Sequence, residues 1–308
     1  MSGGKVPYIE FCRVAQPPLH FQPWWLDAVC GADRWGVAIA TTARQGVPMG
    51  VLPYFKTRRL GLPVVQLPPF TAYAGPWFHP DIQHPDLPGY KKLGLQHRVL
   101  EELIARLPKV LFFQQCFHPT IQNGLPFYWA GFRQTTRYTY LLPGTVDTTD
   151  LYRRFKSSLR TELRRATEYT EVVEVADPEP VFHLNKLSFA RKGLRQPYSR
   201  SVFQNLHQAI AIRRQAHALL ACDRKTGMPH AGLYLVFDTR QAAVLLTGFD
   251  PAYRHTGALH GLYWQAIQFC AARKLSLDFE GSMQPGIEHV FRGFGGQRKP
   301  YLQAWRYL

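Results

Sequence analysis

The first half of the chain has hydrophobic patterns that alternate between strand and helix periods. The β-rich segment from Trp35 to Lys56 predicts a hairpin, because two strand-like runs flank a turn. Residues 97–107 place apolar side chains at helical spacing, which predicts a helix. A short strand at 110–116 and a closing segment at 130–142 follow. This half therefore has the order hairpin, helix, strand, closing segment.

The second half repeats that order. A hairpin is predicted from His217 to Asp238 and a further strand at 241–250. The helix is predicted at 257–275, where apolar residues form one stripe, and the next strand at 276–282. We interpret the repetition as a structural duplication within an α+β protein. The turn residues near Pro143 place the boundary, so the predicted units are 1–145 and 146–308, the second carrying the active site.

A basic helix is predicted to open the second unit, from Asp150 to Tyr169. Cationic side chains recur on it at i, i+3, i+7 and i+11, which places them on one stripe; they are Arg153, Lys156, Arg160 and Arg164. Like charges so arranged repel, and a bound phosphate would offset that repulsion. We interpret Lys156, Arg160 and Arg164 as an anion site; a solvated helix face is the alternative.

The net charge of the whole chain points in the same direction. It carries a formal +16 at pH 7, which favours contact with RNA, anionic lipid or phosphorylated small molecules. The five cysteines are scattered, and neither cysteines nor histidines show the spacing of a metal site. The N-terminal segment lacks the apolar stretch of a signal peptide, so a cytoplasmic location is expected.

A second basic cluster lies in the Gly- and Pro-containing segment 189–200. It combines Arg191 and Lys192 with the aromatic ring of Tyr198. Cations interleaved with an aromatic ring suit contact with a nucleotide or a phosphate. We assign these three residues to the substrate site; an ordinary exposed loop is the alternative.

The stretch LDFEGS supplies the candidate catalytic groups. On a strand, Asp278, Glu280 and Ser282 would share one face, because successive side chains alternate. Two close carboxylates raise one another's pKa toward the range useful to a general base. We predict that Asp278 and Glu280 are catalytic and that Ser282 and Arg292 bind substrate. The alternative is that the carboxylates are structural and pair with the cations that follow, Arg292, Arg298 or Lys299.

Three stretches resemble a known family: Phe155 to Tyr169, Tyr253 to Ser282 and Phe291 to Tyr301. Together with the repeated element order, they are similar to the GNAT acyltransferases, and two units in one chain resemble the FemAB-like (FemABX) branch. The resemblance implies two tandem GNAT-like units, each a mixed, mostly antiparallel sheet flanked by helices. It also implies that a backbone N–H between Leu246 and Phe249 stabilises the oxyanion of acyl transfer.

The resemblance extends only in part to the cofactor loop. GNAT enzymes that bind acetyl-CoA carry Q/R-x-x-G-x-G/A before this helix; Arg254 and Gly257 fit the pattern, whereas Leu259 replaces a small residue. Arg254 and Gly257 are therefore the predicted cofactor-binding residues, and Leu259 argues against ordinary CoA binding. No tightly bound cofactor is expected, and the acyl donor is either an aminoacyl-tRNA or an acyl-CoA.

The predicted function is transfer of an acyl or aminoacyl group to an amine of an anionic acceptor resembling a cell-envelope precursor. The expected partners are tRNA, this acceptor and an anionic membrane surface, with the protein in the cytoplasm or at the inner membrane face. One alternative is an acyl-CoA-dependent N-acetyltransferase. The other is a non-catalytic protein that binds RNA or anionic lipid.

Overall fold

The computed structural model describes residues 5–41, 46–281 and 283–307. The chain divides into two compact units: residues 1–137 with 300–308, and residues 138–299. The predicted division at 145/146 places residues 138–145 in the first unit and the last strand in the second. The contacts between residues instead group 138–145 with the second unit and 300–308 with the first. The reason is that residues 141–142 pair with 277–278, and residues 303–307 pair with 112–116.

The helices and strands alternate along the described chain. The helices are α1 (Lys5–Ala15), α2 (Pro23–Cys30), α3 (Pro80–Gln83), α4 (Gly89–Ala105), α5 (Leu125–Trp129), α6 (Thr148–Arg154), α7 (Ser157–Tyr169), α8 (Glu179–Ala190), α9 (Arg200–Ala211), α10 (Ala258–Ala272) and α11 (Pro285–Gly293). The strands are β1 (Trp35–Ala40), β2 (Gly50–Arg59), β3 (Leu62–Gln66), β4 (Trp77–Phe78), β5 (Phe112–Cys116), β6 (Arg133–Leu142), β7 (Thr170–Glu174), β8 (Ala216–Asp223), β9 (Pro229–Phe237), β10 (Gln241–Phe249), β11 (Ser276–Asp278) and β12 (Gln297–Tyr307). Short 3-10 turns lie at Leu19–Phe21 and Pro251–Thr256.

The first unit is a mixed sheet with strand order β1-β2-β3-β5-β12, and β4 adds to β2. The predicted hairpin of β1 and β2 is confirmed as antiparallel, and β3 and β5 form a parallel pair. Helix α4 covers this sheet with Val99, Leu100 and Leu103, all fully buried. The apolar stripe seen in the sequence is thus the face of α4 that packs on the core.

The second unit has strand order β6-β11-β10-β9-β8-β7. Its hairpin of β8 and β9 is also confirmed as antiparallel, and β10 and β11 form its parallel pair. Helices α8 and α9 cover one face, where Phe203 contacts Tyr234 of β9. Helix α10 covers the other face, where Leu262 packs in one cluster with Leu233 of the same strand. Strand β9 is therefore buried on both sides, which matches its continuous apolar run.

The predicted duplication is confirmed by the order of elements. In each half, three antiparallel strands precede a long helix, a parallel strand, a short helix and a closing strand. The closing strands are exchanged: β6, which ends the first half, pairs with β11 of the second unit, and β12 pairs with β5 of the first. The α+β class with mixed, mostly antiparallel sheets is likewise confirmed.

The prediction of one continuous helix from Asp150 to Tyr169 is wrong. It is two helices, α6 and α7, because Phe155 and Lys156 are extended, with ψ angles of 142° and 152°. The Phe155 ring is buried against Phe294, which draws the backbone out of helical conformation there. The proposed single basic stripe is therefore interrupted: Arg153 lies on α6, whereas Arg160 and Arg164 lie on α7.

The predicted strand at 276–282 is also shorter than expected. Strand β11 ends at Asp278, and Glu280 has a left-handed backbone with a φ of +55°. Alternation therefore does not put Asp278 and Glu280 on one strand face, and Ser282 lies outside the described residues. Helix α11 follows this turn. Within the described ranges, none of the helices is long and apolar enough to cross a membrane.

Candidate active site

The second unit contains a cavity at the point where two parallel strands separate. Strand β10 pairs with β11 only from Gln241 to Ala243, while its pairing with β9 continues to Phe249. The register of β10 shifts between Val244 and Leu246, a bulge that bends the strand away from β11. A cavity of about 630 Å³ lies along the segment 244–249. Residues from both faces of the sheet line it, so the separation of the strands opens a passage through the sheet.

Helix α8 supplies polar contacts to the freed edge of β10. The buried amide of Asn185 donates from Nδ2 to the Thr247 carbonyl at 2.7 Å, and Ser188 Oγ accepts from the Phe249 N–H at 3.1 Å. The Thr247 carbonyl therefore faces away from β9. The N–H and C=O of one strand residue point to the same side, so the Thr247 N–H is directed toward this edge as well. It is the best-placed donor for an oxyanion in the predicted 246–249 segment.

The same asparagine also fixes a tyrosine. Asn185 Oδ1 accepts hydrogen bonds from Tyr198 Oη at 2.9 Å and from Gln196 Nε2 at 2.7 Å. Burial raises the pKa of Tyr198 above its ordinary value, and the carboxylate of Glu280 raises it further. Tyr198 is thus a neutral hydroxyl at the α8 side of the cavity, close enough to Glu280 to sense its charge.

The α10 side of the cavity is formed by the start of that helix. Gly257, Leu259 and His260 line it, and Tyr263 lies one turn further along. Burial lowers the pKa of His260, although the Glu162 carboxylate, 4.0 Å from its Nδ1, acts in the opposite direction. Burial raises the pKa of Tyr263 to about 12. Both side chains are therefore uncharged near neutral pH.

A tight turn after β11 carries Glu280 into the cavity. Asp278 Oδ1 accepts the Thr139 hydroxyl at 2.5 Å and the Glu280 N–H at 2.7 Å. Gly281 completes the turn with a φ of +55°, and a Cβ there would lie 2.3 Å from the Tyr138 carbonyl oxygen. A non-glycine residue in left-handed conformation is strained, and such strain is concentrated at functional sites. Asp278, 9% exposed, holds the turn in place.

We expect Asp278→Ala to lower both stability and activity, whereas Asp278→Asn retains most of each. Alanine removes the acceptor for two buried donors, which destabilises by about 2–4 kcal/mol. Asparagine keeps an oxygen at the same position and so keeps the turn. Melting temperature and transfer rate of the two variants test this. Equal loss of rate in both variants, with the asparagine variant fully folded, would instead assign Asp278 a direct chemical role.

The cavity brings together six of the residues predicted from the sequence. They are Arg191, Lys192, Tyr198, Arg254, Gly257 and Glu280. Among the described residues that line it, Asp278, Lys156, Arg160, Arg164 and Arg292 do not appear. Arg292 Nε instead binds Glu288 on α11 at 2.9 Å, and Glu288 accepts the Tyr140 hydroxyl. The basic residues of α7 thus form an exposed surface outside this cavity.

The charges of the cavity residues are mixed. Arg191 stacks on the Phe249 ring with its guanidinium carbon 5.0 Å from the centroid, and Lys192 Nζ donates to Gln284 at 3.0 Å. Arg254 lies at the opposite, α10 side. The lining of the cavity thus contains these three cations and the carboxylate of Glu280. This arrangement suits one ligand with an anionic group and another with an amine.

Sequence reasoning missed Asn185 and Ser188. Both lie on α8, a segment that carries no motif, and their importance follows only from their contacts with β10. It also missed His230, which lines the cavity and stacks on Tyr253 with ring centroids 3.9 Å apart. None of the three belongs to a motif, and in sequence none differs from an ordinary polar side chain of a helix or strand.

A family model matches the part of the chain that forms this cavity. Residues 153–285 match the family described as "Acetyltransferase (GNAT) domain". The sequence matches no curated protein. The match includes α8, β10, α10 and the turn at Glu280, which line the cavity; the lining residues of α11 lie just beyond it.

Solved structures share the fold over nearly the whole chain. The crystal structure of FemX has a TM-score of 0.66 at 14% identity, with 98% of this chain and 96% of that chain covered. L-PGS from Bacillus licheniformis has a TM-score of 0.57 at 9% identity, covering 96% and 90%. A tandem GNAT protein from the clavulanic acid biosynthesis pathway has a TM-score of 0.50 at 12% identity, covering 86% and 81%. At these identities the likeness concerns the fold.

Proposed function

We propose that this chain, an acyltransferase of the GNAT superfamily with a FemAB-like fold, moves an acyl or aminoacyl group onto an amine of an anionic acceptor in the cavity of its second unit. The observation that carries the proposal is the position of Glu280. Its carboxylate lies on a strained turn, in a cavity whose described lining also contains the cations Arg191, Lys192 and Arg254 and the hydroxyls of Tyr198 and Tyr263. A single carboxylate so placed is suited to take a proton from an ammonium.

Because the cavity is lined from both faces of the sheet, the two substrates enter it from opposite faces. The acceptor enters along α8, where Arg191 and Lys192 bind its anionic group and bring its amine to Glu280. The donor enters along the start of α10, where Arg254 contacts a phosphate. The two reactants then meet at the edge of β10, and holding them there removes much of the entropic part of the barrier.

The chemistry needs a neutral amine and a stabilised oxyanion. Glu280 removes a proton from the acceptor ammonium, and the amine nitrogen attacks the donor carbonyl carbon. The carbonyl oxygen then gains negative charge, and the Thr247 N–H is directed toward it. As the tetrahedral intermediate collapses, the C–O or C–S bond to the donor breaks and the new C–N bond remains. The nitrogen gives up its second proton, and the departing oxygen or sulfur takes up one proton in exchange. Tyr263, whose pKa is raised by burial to about 12, is a hydroxyl donor available to the leaving group. The Tyr198 hydroxyl is already donated to Asn185.

Two donor classes fit this site. Aminoacyl-tRNA is favoured by the exposed basic surface of α7, where Arg160 and Arg164 offer contacts for a polyanion. Acyl-CoA is the second candidate, because Arg254 and Gly257 stand at the start of α10 as in CoA-binding GNAT enzymes. Leu259, which lines the cavity, reduces the space for a pyrophosphate there.

A transfer assay with both donors tests the proposal. The protein is incubated with charged tRNA or with acetyl-CoA and a panel of anionic and uncharged amines, and products are identified by mass spectrometry. We expect a single-acyl mass increase on anionic amines. Arg191→Gln with Lys192→Gln should raise KM for anionic amines about tenfold or more, with little effect on uncharged ones. Lys186→Gln, on the exposed face of the preceding helix α8, is the matched control.

The pattern of lost transfer activity in this assay decides between acyl transfer and the non-catalytic alternative. Binding of tRNA without product from either donor would support the non-catalytic alternative and overturn acyl transfer. Equal loss for charged and uncharged amines in the double variant would overturn the anionic acceptor while leaving acyl transfer in place.

A further inference from the structure

The hairpin between β2 and β3 ends in an unusual residue. Arg59 pairs with Leu62, so Leu60 and Gly61 form a two-residue turn, with φ angles of +50° and +79°. Two positive φ angles define a type I′ turn, which strongly favours Asn-Gly and disfavours a leucine at its first position. The Leu60 side chain is also 96% exposed. Leucine is thus unfavourable here both for the backbone and for the solvated side chain.

Other apolar side chains extend this edge of the first unit. Leu62 is 49% exposed, Leu111 42% and Tyr307 69%. They lie on neighbouring strands, since β3, β5 and β12 follow one another in the sheet. The Leu111 N–H donates to the Pro63 carbonyl, and the Tyr307 ring contacts Phe112 at 4.7 Å between centroids. We call this surface, Leu60, Leu62, Leu111 and Tyr307, the leucine edge.

Basic residues flank the leucine edge. Arg58 and Arg59 precede the turn, and Lys109 precedes Leu111; all three are exposed. The segments that form this part of the sheet contain no acidic residue: none occurs in 34–80, in 103–146 or in 297–308. The edge therefore joins exposed apolar side chains with positive charge that no acid within these segments offsets.

We propose that the leucine edge docks on the surface of a membrane containing anionic phospholipids. Leu60 enters the acyl region, where its apolar surface leaves water, and Arg58, Arg59 and Lys109 contact lipid phosphates. RNA would satisfy the cations equally well, but it offers no apolar phase to a leucine at the tip of a hairpin. The combination of an exposed leucine with cations thus favours lipid over nucleic acid.

Leu60→Asn separates docking from folding, because asparagine is the preferred residue at this turn position. We expect the melting temperature of the variant to equal or exceed that of the wild type. Binding of the full chain to vesicles of phosphatidylcholine with 30% phosphatidylglycerol, measured by co-sedimentation, should weaken about 10- to 100-fold, as expected for exposure of one buried leucine. Arg59→Gln should weaken it about fivefold, and pure phosphatidylcholine vesicles should bind less than the anionic ones.

Ile212→Asn is the matched control, since Ile212 is 83% exposed and is followed by Arg213 and Arg214. It should leave vesicle binding unchanged. The proposal is overturned if Leu60→Asn binds vesicles like the wild type, if Ile212→Asn loses as much, or if the wild type does not bind anionic vesicles. A loss of tRNA affinity in Leu60→Asn equal to its loss of vesicle affinity would likewise overturn lipid as the partner. No donor or acceptor is needed, so this result is independent of acyl transfer.

Discussion

Replacing Glu280 by glutamine is expected to slow acyl transfer about 100- to 10,000-fold, the contribution typical of a general base. Glutamine has nearly the same size and keeps the backbone N–H that Asp278 accepts, so the turn remains. It cannot take a proton from an ammonium. The loss should therefore appear in kcat at saturating acceptor, with an unchanged melting temperature.

The pH dependence of this loss identifies its cause. As the pH rises toward the pKa of the acceptor amine, more of the amine is already neutral and the base becomes less necessary. The deficit of Glu280→Gln should then shrink. Glu179→Gln is the control, because Glu179 binds Arg200 on the surface, with its Oε1 2.7 Å from Nε. A deficit that is constant across pH, or absent altogether, would exclude Glu280 as the base.

Periodicity in the sequence was sufficient to predict the two hairpins and the helices α4 and α10. The apolar stripe of α10 determines a helix that buries one face, and the β-rich runs on either side of a turn determine the hairpins. The exchange of closing strands was not predictable. Segments 133–142 and 297–307 have similar β-patterns, and either would satisfy the open edge of either sheet. Which edge each one meets depends on tertiary contacts that no local pattern records.

The interruption between α6 and α7 likewise depends on a tertiary contact that the local sequence does not record, here the contact of one residue. Neither proline nor glycine occurs at 155–156, so no helix-breaking signal is present. The break follows from Phe155, whose ring is held between Trp264 and Phe294. A packing requirement overrode local helix propensity, and with it the single basic stripe inferred from spacing.

The carboxylates illustrate what sequence does predict about a site. The stretch LDFEGS was correctly placed after α10, and Glu280 does line the cavity. The strand assumption nevertheless gave Asp278 and Glu280 the same orientation. Glycine at 281 was the signal for a turn, but a glutamate in left-handed conformation is rare enough that local preference argues against it. The different environments of the two carboxylates follow from that one backbone angle.

Gly257 could be required either by the cofactor-loop motif in the sequence or by packing between helices, and the structure distinguishes the two reasons. The resemblance of this segment to the GNAT cofactor loop implies that a glycine at this position lets the backbone approach a phosphate. Here it has a φ of +69°, and a Cβ would lie 2.2 Å from the carbonyl oxygen of Glu162 on α7. The glycine therefore permits contact between two helices. Its neighbour Gly261 faces Ala166 of α7 in the same way, with 2.8 Å between that Cβ and a Cβ built on the glycine.

Gly257→Ala is accordingly expected to destabilise the second unit by about 2–5 kcal/mol, combining left-handed strain with a clash against rigid backbone. The matched control is Gly227→Ala, whose φ is +71° with no atom within 4 Å of the added Cβ, so it carries the strain without the clash. Melting temperature and amide exchange in α10 are measured for both variants. The difference between the variants gives the contribution of the helix contact alone. If both variants melted alike and Gly257→Ala lost only donor binding, the glycine would be serving a phosphate after all, and acyl-CoA would become the favoured donor.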